Sequence, residues 1–176
     1  MNRNWMILFM FILFLIEGTW LPFLIPGAWS DRIFPQLVFI VVLYHAVYKH
    51  RHTALMMGLG FGLLQDIVYY GHMIGPHTFT MGLLGYLVGL LFSTRNTSMM
   101  IMMMISFMCS FIYQAIIFGI YALFSVQHLE FKDTLLNYMI PSLFIQLLFA
   151  LIIYVPMRKW FETAPVTDSN EEKEAL

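Results

Sequence analysis

Charge and cysteine are both scarce in this sequence. Only 11% of its 176 residues are charged, and Cys109 is its single cysteine. A soluble domain carries about 25% charged residues, and a lone cysteine excludes both an internal disulfide framework and a cysteine-based metal finger. The formal net charge is −1, so no basic surface is available to neutralise phosphates. This excludes a nucleic-acid binder.

Apolar side chains dominate instead. Hydrophobic residues make up 60% of the chain and aromatic residues 17%, and the mean hydropathy is +0.77. This composition excludes a water-soluble globule and a disordered chain, and it predicts an all-α integral membrane protein. Since an apolar stretch of roughly 20 residues crosses the hydrocarbon, we identify six candidate spans, at residues 5–25, 33–48, 53–70, 78–92, 98–124 and 135–157.

The basic residues predict the orientation of this six-transmembrane-helix bundle. With the N-terminus in the cytoplasm, seven of the nine Lys and Arg residues lie on the cytoplasmic side, which agrees with the positive-inside rule. Both termini are therefore expected in the cytoplasm, with residues 1–160 forming one membrane domain and residues 161–176 a short acidic tail. A re-entrant hairpin of the third and fourth segments would give the same charge distribution. Six spans are preferred because a glycine-rich turn is better placed in water than in hydrocarbon.

No catalytic motif is found in the sequence. A hydrolase nucleophile elbow, a zinc-protease helix, a phosphate-binding loop and a dinucleotide fingerprint are all missing. The methionine thioethers within residues 99–108 are soft ligands of the kind that bind Cu(I). A conformable apolar helix surface explains this methionine run better. The sequence therefore predicts no enzyme, no cofactor and no metal site.

Two pairs of glycines are the most informative small residues. Gly58 and Gly62 are four residues apart, as are Gly85 and Gly89, so each pair leaves a groove on one face of a helix. Such spacing lets another helix approach closely enough for van der Waals packing in lipid. Asp66 continues the face of the first pair, and a carboxylate inside a span usually faces a protein interior. These grooves are expected to serve helix packing, either inside the protein or with a partner.

Three polar side chains on different spans fall at similar depth. At about 1.5 Å of rise per residue, Glu17, Asp66 and Gln146 all lie somewhat outside the bilayer midplane. Each would be costly alone in lipid, so we expect a buried polar cluster in which Asp66 faces the bundle interior within direct or water-bridged reach of Glu17 or Gln146. A proton or ion carrier that uses Glu17 and Asp66 is a further hypothesis.

One segment resembles a known family. The run Gly62-Leu63-Leu64-Gln65-Asp66-Ile67, followed by Gly71, Gly75, Phe79 and Tyr86, is similar to the signature segment of the rod shape-determining protein MreD family. The specific match covers about 25 residues. Together with the two glycine pairs, the resemblance gives these candidates for packing or partner binding: Gly58, Gly62, Asp66, Gly71, Gly75, Gly85, Tyr86 and Gly89.

The resemblance implies a non-enzymatic, multi-pass protein of the bacterial cytoplasmic membrane that helps control lateral peptidoglycan synthesis and rod shape. The implied partner is MreC, within a larger assembly with MreB, RodA and a class B penicillin-binding transpeptidase. The implied fold is similar to the substrate-binding components of energy-coupling-factor transporters. This suggests a second function, a vitamin-type binding subunit of a transporter. The short outer loops at 26–32, 71–77 and 125–134 favour the cell-shape role.

Overall fold

All regular structure in the described part of the chain is helical. The computed structural model describes residues 3–20, 36–69, 73–92, 97–124 and 134–162. Its α-helices are α1 (Arg3–Thr19), α2 (Leu37–Tyr48), α3 (Arg51–Val68), α4 (Pro76–Leu91), α5 (Met99–Leu123) and α6 (Ile140–Glu162). A π-helical turn at Leu135–Met139 leads into α6. The all-α class predicted from composition is confirmed for these ranges.

Two of the described helices are long and apolar enough to cross a membrane. They are α5 and the stretch Ile140–Lys159 of α6, against six spans predicted from the sequence. The apolar stretches Trp5–Thr19, Leu37–Tyr48 and Pro76–Leu91 are shorter; at about 1.5 Å per residue, each rises less than the roughly 30 Å of hydrocarbon. In α3, Gln65 and Asp66 interrupt the apolar sequence.

Helix α2 lies at the centre of the bundle. Every residue from Leu37 to Val47 is buried, and α2 contacts each of the other five α-helices. It reads as a nearly unbroken run of Val, Leu, Ile and Phe, which is the pattern of a helix buried on all sides. The hydroxyl of Tyr44 donates to the carbonyl oxygen of Ala150 on α6 at 2.8 Å. This bond ties the centre of the bundle to its last helix.

The outer faces of the bundle are apolar. Large hydrophobic side chains are exposed along α1, α5 and α6, and they include Leu8, Ile12, Met100, Met104, Phe144 and Ile152. A water-soluble monomer rarely exposes contiguous apolar surface of this extent. Such faces are typical of a protein whose outer surface meets lipid.

Candidate functional site

Asp66 is the acceptor for a cluster of donors at the start of α4. Its side chain is 0% exposed near the end of α3. Oδ2 accepts from the backbone N–H of Gly75 at 3.0 Å and of Thr78 at 2.9 Å, and from the Thr78 hydroxyl at 2.6 Å. Oδ1 accepts from the backbone N–H of His77 at 3.1 Å. One carboxylate thus caps the following helix.

This cap accounts for every backbone N–H at the start of α4. The first turn of a helix has donors without intrahelical partners, and in lipid each unsatisfied donor is costly. Gly75 occupies the N-cap position at φ 125° and has no side chain with which to cap. Pro76 follows without an N–H, and helical bonding begins when Phe79 N–H donates to Gly75 O at 2.8 Å. Asp66 supplies the acceptor that the N-cap residue lacks.

Glu17 caps α2 in a similar way. It is half-buried near the end of α1, and its Oε2 accepts from the backbone N–H groups of Leu37 at 2.9 Å and Val38 at 3.2 Å. Its Oε1 accepts from Nε2 of Gln65 at 2.9 Å. Gln65 lies next to Asp66 in the sequence, so neighbouring residues of α3 take part in the two caps. The sequence analysis does not single out Gln65, although a polar amide within an apolar span indicates a side chain that needs a hydrogen-bond partner.

The three polar side chains expected to cluster have separate partners. Asp66 is in the interior, and its hydrogen bonds join it to α4. Those of Glu17 join it to α2 and to Gln65. Gln146 accepts a hydrogen bond from Gln114 at 3.4 Å. Among the described residues no hydrogen bond joins any two of the three. Depth along each helix is a necessary condition for such a cluster, but the direction in which each side chain points around its helix decides its partner. Gln146 points towards α5.

The first pair of glycines packs against the backbone of α4. A Cβ built on Gly58 would lie 2.8 Å from the Met81 carbonyl oxygen, and one built on Gly62 would lie 2.6 Å from Thr78 Cα. Side chains do not tolerate such distances to backbone atoms, so only glycine permits this α3–α4 approach. This groove is occupied inside the protein.

The second pair of glycines also faces inwards. A Cβ on Gly85 would lie 3.0 Å from Cγ1 of Val42, and one on Gly89 would lie 2.8 Å from Cβ of Arg51. Nearby, the Tyr86 ring centroid is 5.9 Å from both the Arg51 guanidinium carbon and the His52 ring centroid. Tyr86 therefore lies at the end of the α3–α4 hairpin opposite Asp66, where it holds a cation on its ring. Gly71 lies outside the described residues.

An open apolar groove separates α1 from α3. Its volume is about 570 Å³. The lining comes from both helices and consists of Ile7, Phe11, His52, Thr53, Met56, Met57, Gly60, Phe61 and Leu64. A Cβ built on Gly60 would meet nothing within 4 Å, so this face of α3 is unoccupied. It is the face opposite the one that packs on α4.

Comparisons with known proteins identify the same family that the segment around Asp66 resembles. The family model described as rod shape-determining protein MreD matches residues 1–164. A Bacillus subtilis (strain 168) protein described as "Rod shape-determining protein MreD" is 24% identical over 137 residues, which are 77% of this chain and 79% of the relative. No solved structure matches the chain. Since the family model spans nearly the whole sequence, the chain belongs to the MreD family of rod shape-determining membrane proteins.

Proposed function

We propose that this chain is a non-enzymatic, multi-pass subunit of the bacterial cytoplasmic membrane that binds MreC and helps control lateral peptidoglycan synthesis. Membership of the family supports the rod-shape role. In this proposal the chain crosses the membrane six times, has both termini in the cytoplasm and works in an assembly with MreB, RodA and a class B penicillin-binding transpeptidase. Its role in this proposal is to position these partners relative to one another, without catalysing a reaction.

The groove between α1 and α3 is the observation that carries the docking part of this proposal. The grooves at Gly58, Gly62, Gly85 and Gly89 are filled by this chain's own helices, so they are not available to a partner. Gly60 has open space before it, and the surrounding side chains are mostly apolar. In lipid, a small residue in such a groove lets another helix approach closely. We assign the groove to the transmembrane helix of MreC.

A matched pair of substitutions tests this assignment. Gly60→Leu places a side chain in the groove, and Gly119→Leu places one on α5 at a glycine that also has nothing within 4 Å of its Cβ position. We expect the Gly60 variant to insert normally and to recover at least tenfold less MreC on co-purification. The Gly119 variant should recover normal amounts. Equal recovery by both variants would show that MreC binds elsewhere.

The two other functions considered for this chain have weaker support. As a proton or ion carrier, it would need carboxylates that can change partners, whereas Glu17 and Asp66 each accept two or more backbone N–H groups at helix starts. A vitamin-type transporter subunit would need saturable vitamin binding. Ion flux in proteoliposomes that vanishes with Asp66→Asn would favour the carrier function over a non-enzymatic subunit that binds MreC.

A further inference from the structure

Basic and histidine side chains cluster at the end of the α3–α4 hairpin opposite Asp66. Lys49, His50, Arg51 and His52 follow one another from the end of α2 into the first turn of α3, and all four are exposed. No ion pair joins Lys49 or Arg51 to a carboxylate in the part of the chain that the structure describes. The family assignment gives these two cations no role, and neither of them lines the proposed docking groove. Their charge would be complemented by an anionic partner.

Arg51 is held against the side of α4. A Cβ built on Gly89 would lie 2.8 Å from Arg51 Cβ, so the side chain of the arginine begins in contact with that helix. Its guanidinium carbon lies 5.9 Å from the ring centroid of Tyr86, which precedes Gly89 by about one turn. A cation–π contact uses the charge of the guanidinium and none of its five N–H donors. The arginine is therefore fixed in place while its donors keep the capacity to bind an oxygen anion.

The face of the hairpin beside this arginine is apolar and exposed. On α4, Phe79 and Leu90 are seven residues before and four residues after Tyr86, so they share its face, and both are exposed. On α3, Met56 is one turn after His52 and is also exposed. Because the chain belongs to a family of membrane proteins, such a face meets lipid. The guanidinium thus lies beside a lipid-facing surface, at the end of the two helices that form it.

We propose that Arg51 binds the phosphate of an anionic phospholipid whose acyl chains lie on the exposed apolar face of the α3–α4 hairpin. The planar set of guanidinium donors matches two phosphate oxygens at once. Lys49 adds a second charge two residues away, and basic clusters at the ends of membrane-spanning helices attract anionic lipids. An acidic protein or a free phosphate would use the same charge, but neither would use the apolar face beside it.

This site rests on the proposed insertion of the hairpin into the membrane, and it is independent of MreC. In the proposed orientation α3 begins on the cytoplasmic side, so the lipid belongs to the cytoplasmic leaflet. The docking groove uses the face of α3 that carries Gly60, whereas Arg51 contacts α4. Normal MreC recovery by Gly60→Leu would count against the groove and leave the lipid site standing. Loss of lipid selectivity in an Arg51 variant should likewise leave MreC recovery unchanged.

Lipid selectivity is measured on the purified full chain by native mass spectrometry. The detergent micelles contain phosphatidylglycerol and phosphatidylcholine in equal amounts and with the same acyl chains, so the two lipids differ in headgroup and net charge. We expect the parent protein to retain phosphatidylglycerol more than phosphatidylcholine by about fivefold. Equal retention of the two lipids would overturn the proposal. Excess inorganic phosphate should leave the lipid bound, and its displacement by phosphate would identify a site for the free anion instead.

The variant Arg51→Gln locates the site. It removes one charge from an exposed position, so the fold should persist while the retention of the two lipids becomes nearly equal. Arg158→Gln is the matched control, since Arg158 is exposed but its Nη1 donates to the Tyr154 hydroxyl on its own helix at 3.4 Å. The hydroxyls of Tyr48 and Tyr154 both donate to the Thr97 carbonyl oxygen at 3.5 Å, which places the control at the same end of the bundle. Equal loss of selectivity in both variants, or no loss in Arg51→Gln, would contradict the assignment.

Tyr86 provides a second test that leaves every charge in place. Tyr86→Leu removes the ring that holds the guanidinium, whereas Tyr86→Phe keeps it. We expect Tyr86→Leu to lower the preference for phosphatidylglycerol towards that of Arg51→Gln, and Tyr86→Phe to retain the preference of the parent. Since Tyr86 is only partly buried, the melting temperature without added lipid should change little in either variant. Loss of selectivity in both variants, or in neither, would contradict a role of Tyr86 in positioning Arg51 for the headgroup.

Discussion

The α1–α2 and α3–α4 helix pairs use the same capping device in two different settings. In each pair a carboxylate near the end of the first helix accepts N–H groups from the start of the second. Asp66 is fully buried and caps a helix that follows the short connection 69–75. Glu17 is half-buried and caps a helix that follows the longer stretch 20–36. The device therefore works with a short or a long connection.

The two pairs differ in what the rest of the first helix contacts. Helix α3 packs against the backbone of α4 through Gly58 and Gly62. Helix α1 has no such glycine contact with α2, and it leaves the open groove along α3. Capping thus fixes where a helix begins, while glycine spacing sets how closely two helices pack. One pair has both properties and forms a tight unit, and the other has only the first and leaves an open groove.

Loss of the Asp66 carboxylate should have the largest effect. Asp66→Leu leaves three backbone N–H groups and the Thr78 hydroxyl without their acceptor, and each buried unsatisfied donor costs about 1–3 kcal/mol. We expect the free energy of unfolding, measured by titration with SDS in mixed micelles, to fall by about 3 kcal/mol or more. Insertion should persist because an apolar side chain enters lipid readily. Asp66→Asn, which keeps one acceptor oxygen, should lose less; equal stability of Asp66→Leu and the parent would contradict the cap.

A methyl group at Gly62 should come next. Gly62→Ala places a Cβ 2.6 Å from Thr78 Cα, so α3 and α4 must move apart, and overpacking of this kind costs about 1–3 kcal/mol. Gly60→Ala is the matched control on the same helix because its Cβ meets nothing within 4 Å. It should be neutral or more stable by up to about 1 kcal/mol from helix propensity. If both alanine variants unfold alike, glycine contact is not what distinguishes the two helix pairs.

Loss of the Glu17 carboxylate should have a smaller and local effect. Glu17→Leu removes the acceptor of Leu37 N–H, Val38 N–H and Gln65 Nε2, at a site that is only half-buried. We expect a loss of about 1–2 kcal/mol. Hydrogen exchange should accelerate at the first amides of α2 and stay slow at those of α4, and Asp66→Leu should give the reverse. Acceleration at both helix starts in either variant would mean that Gln65 couples the two caps into one unit.

The smallest effect is expected at the turn before α4. Gly75 has a φ of 125°, a conformation that disfavours side chains by roughly 1–2 kcal/mol. Gly75→Ala should therefore lower the free energy of unfolding by about 1 kcal/mol, although its Cβ would meet nothing within 4 Å. Gly119→Ala has the same open surroundings on a regular helix and should be neutral or more stable by up to about 1 kcal/mol. Equal effects at the two positions would remove backbone strain as the reason for Gly75.

The sequence predicts the helices of this protein better than it predicts their partners. The expected spans 53–70 and 78–92 overlap the observed Arg51–Val68 and Pro76–Leu91, because apolar runs and the glycine-proline turn mark helix ends. The bonds of Asp66 were not predicted, since they depend on how α4 turns back after Gly75. The link between Glu17 and Gln65 joins residues 48 positions apart, and only the packed bundle brings them together. The groove at Gly60 is equally a property of packing.

The sequence separation of the hydrogen bonds has a consequence for biogenesis. All partners of Asp66 lie within 12 residues of it, so the buried carboxylate and its donors leave the ribosome almost together. The capping hydrogen bonds of the α3–α4 hairpin can therefore form before the rest of the chain is made, because closing so short a loop is fast. The Tyr44–Ala150 bond spans 106 residues and must wait until the last helix is synthesised. The central helix therefore acquires this contact after the α3–α4 hairpin has been made.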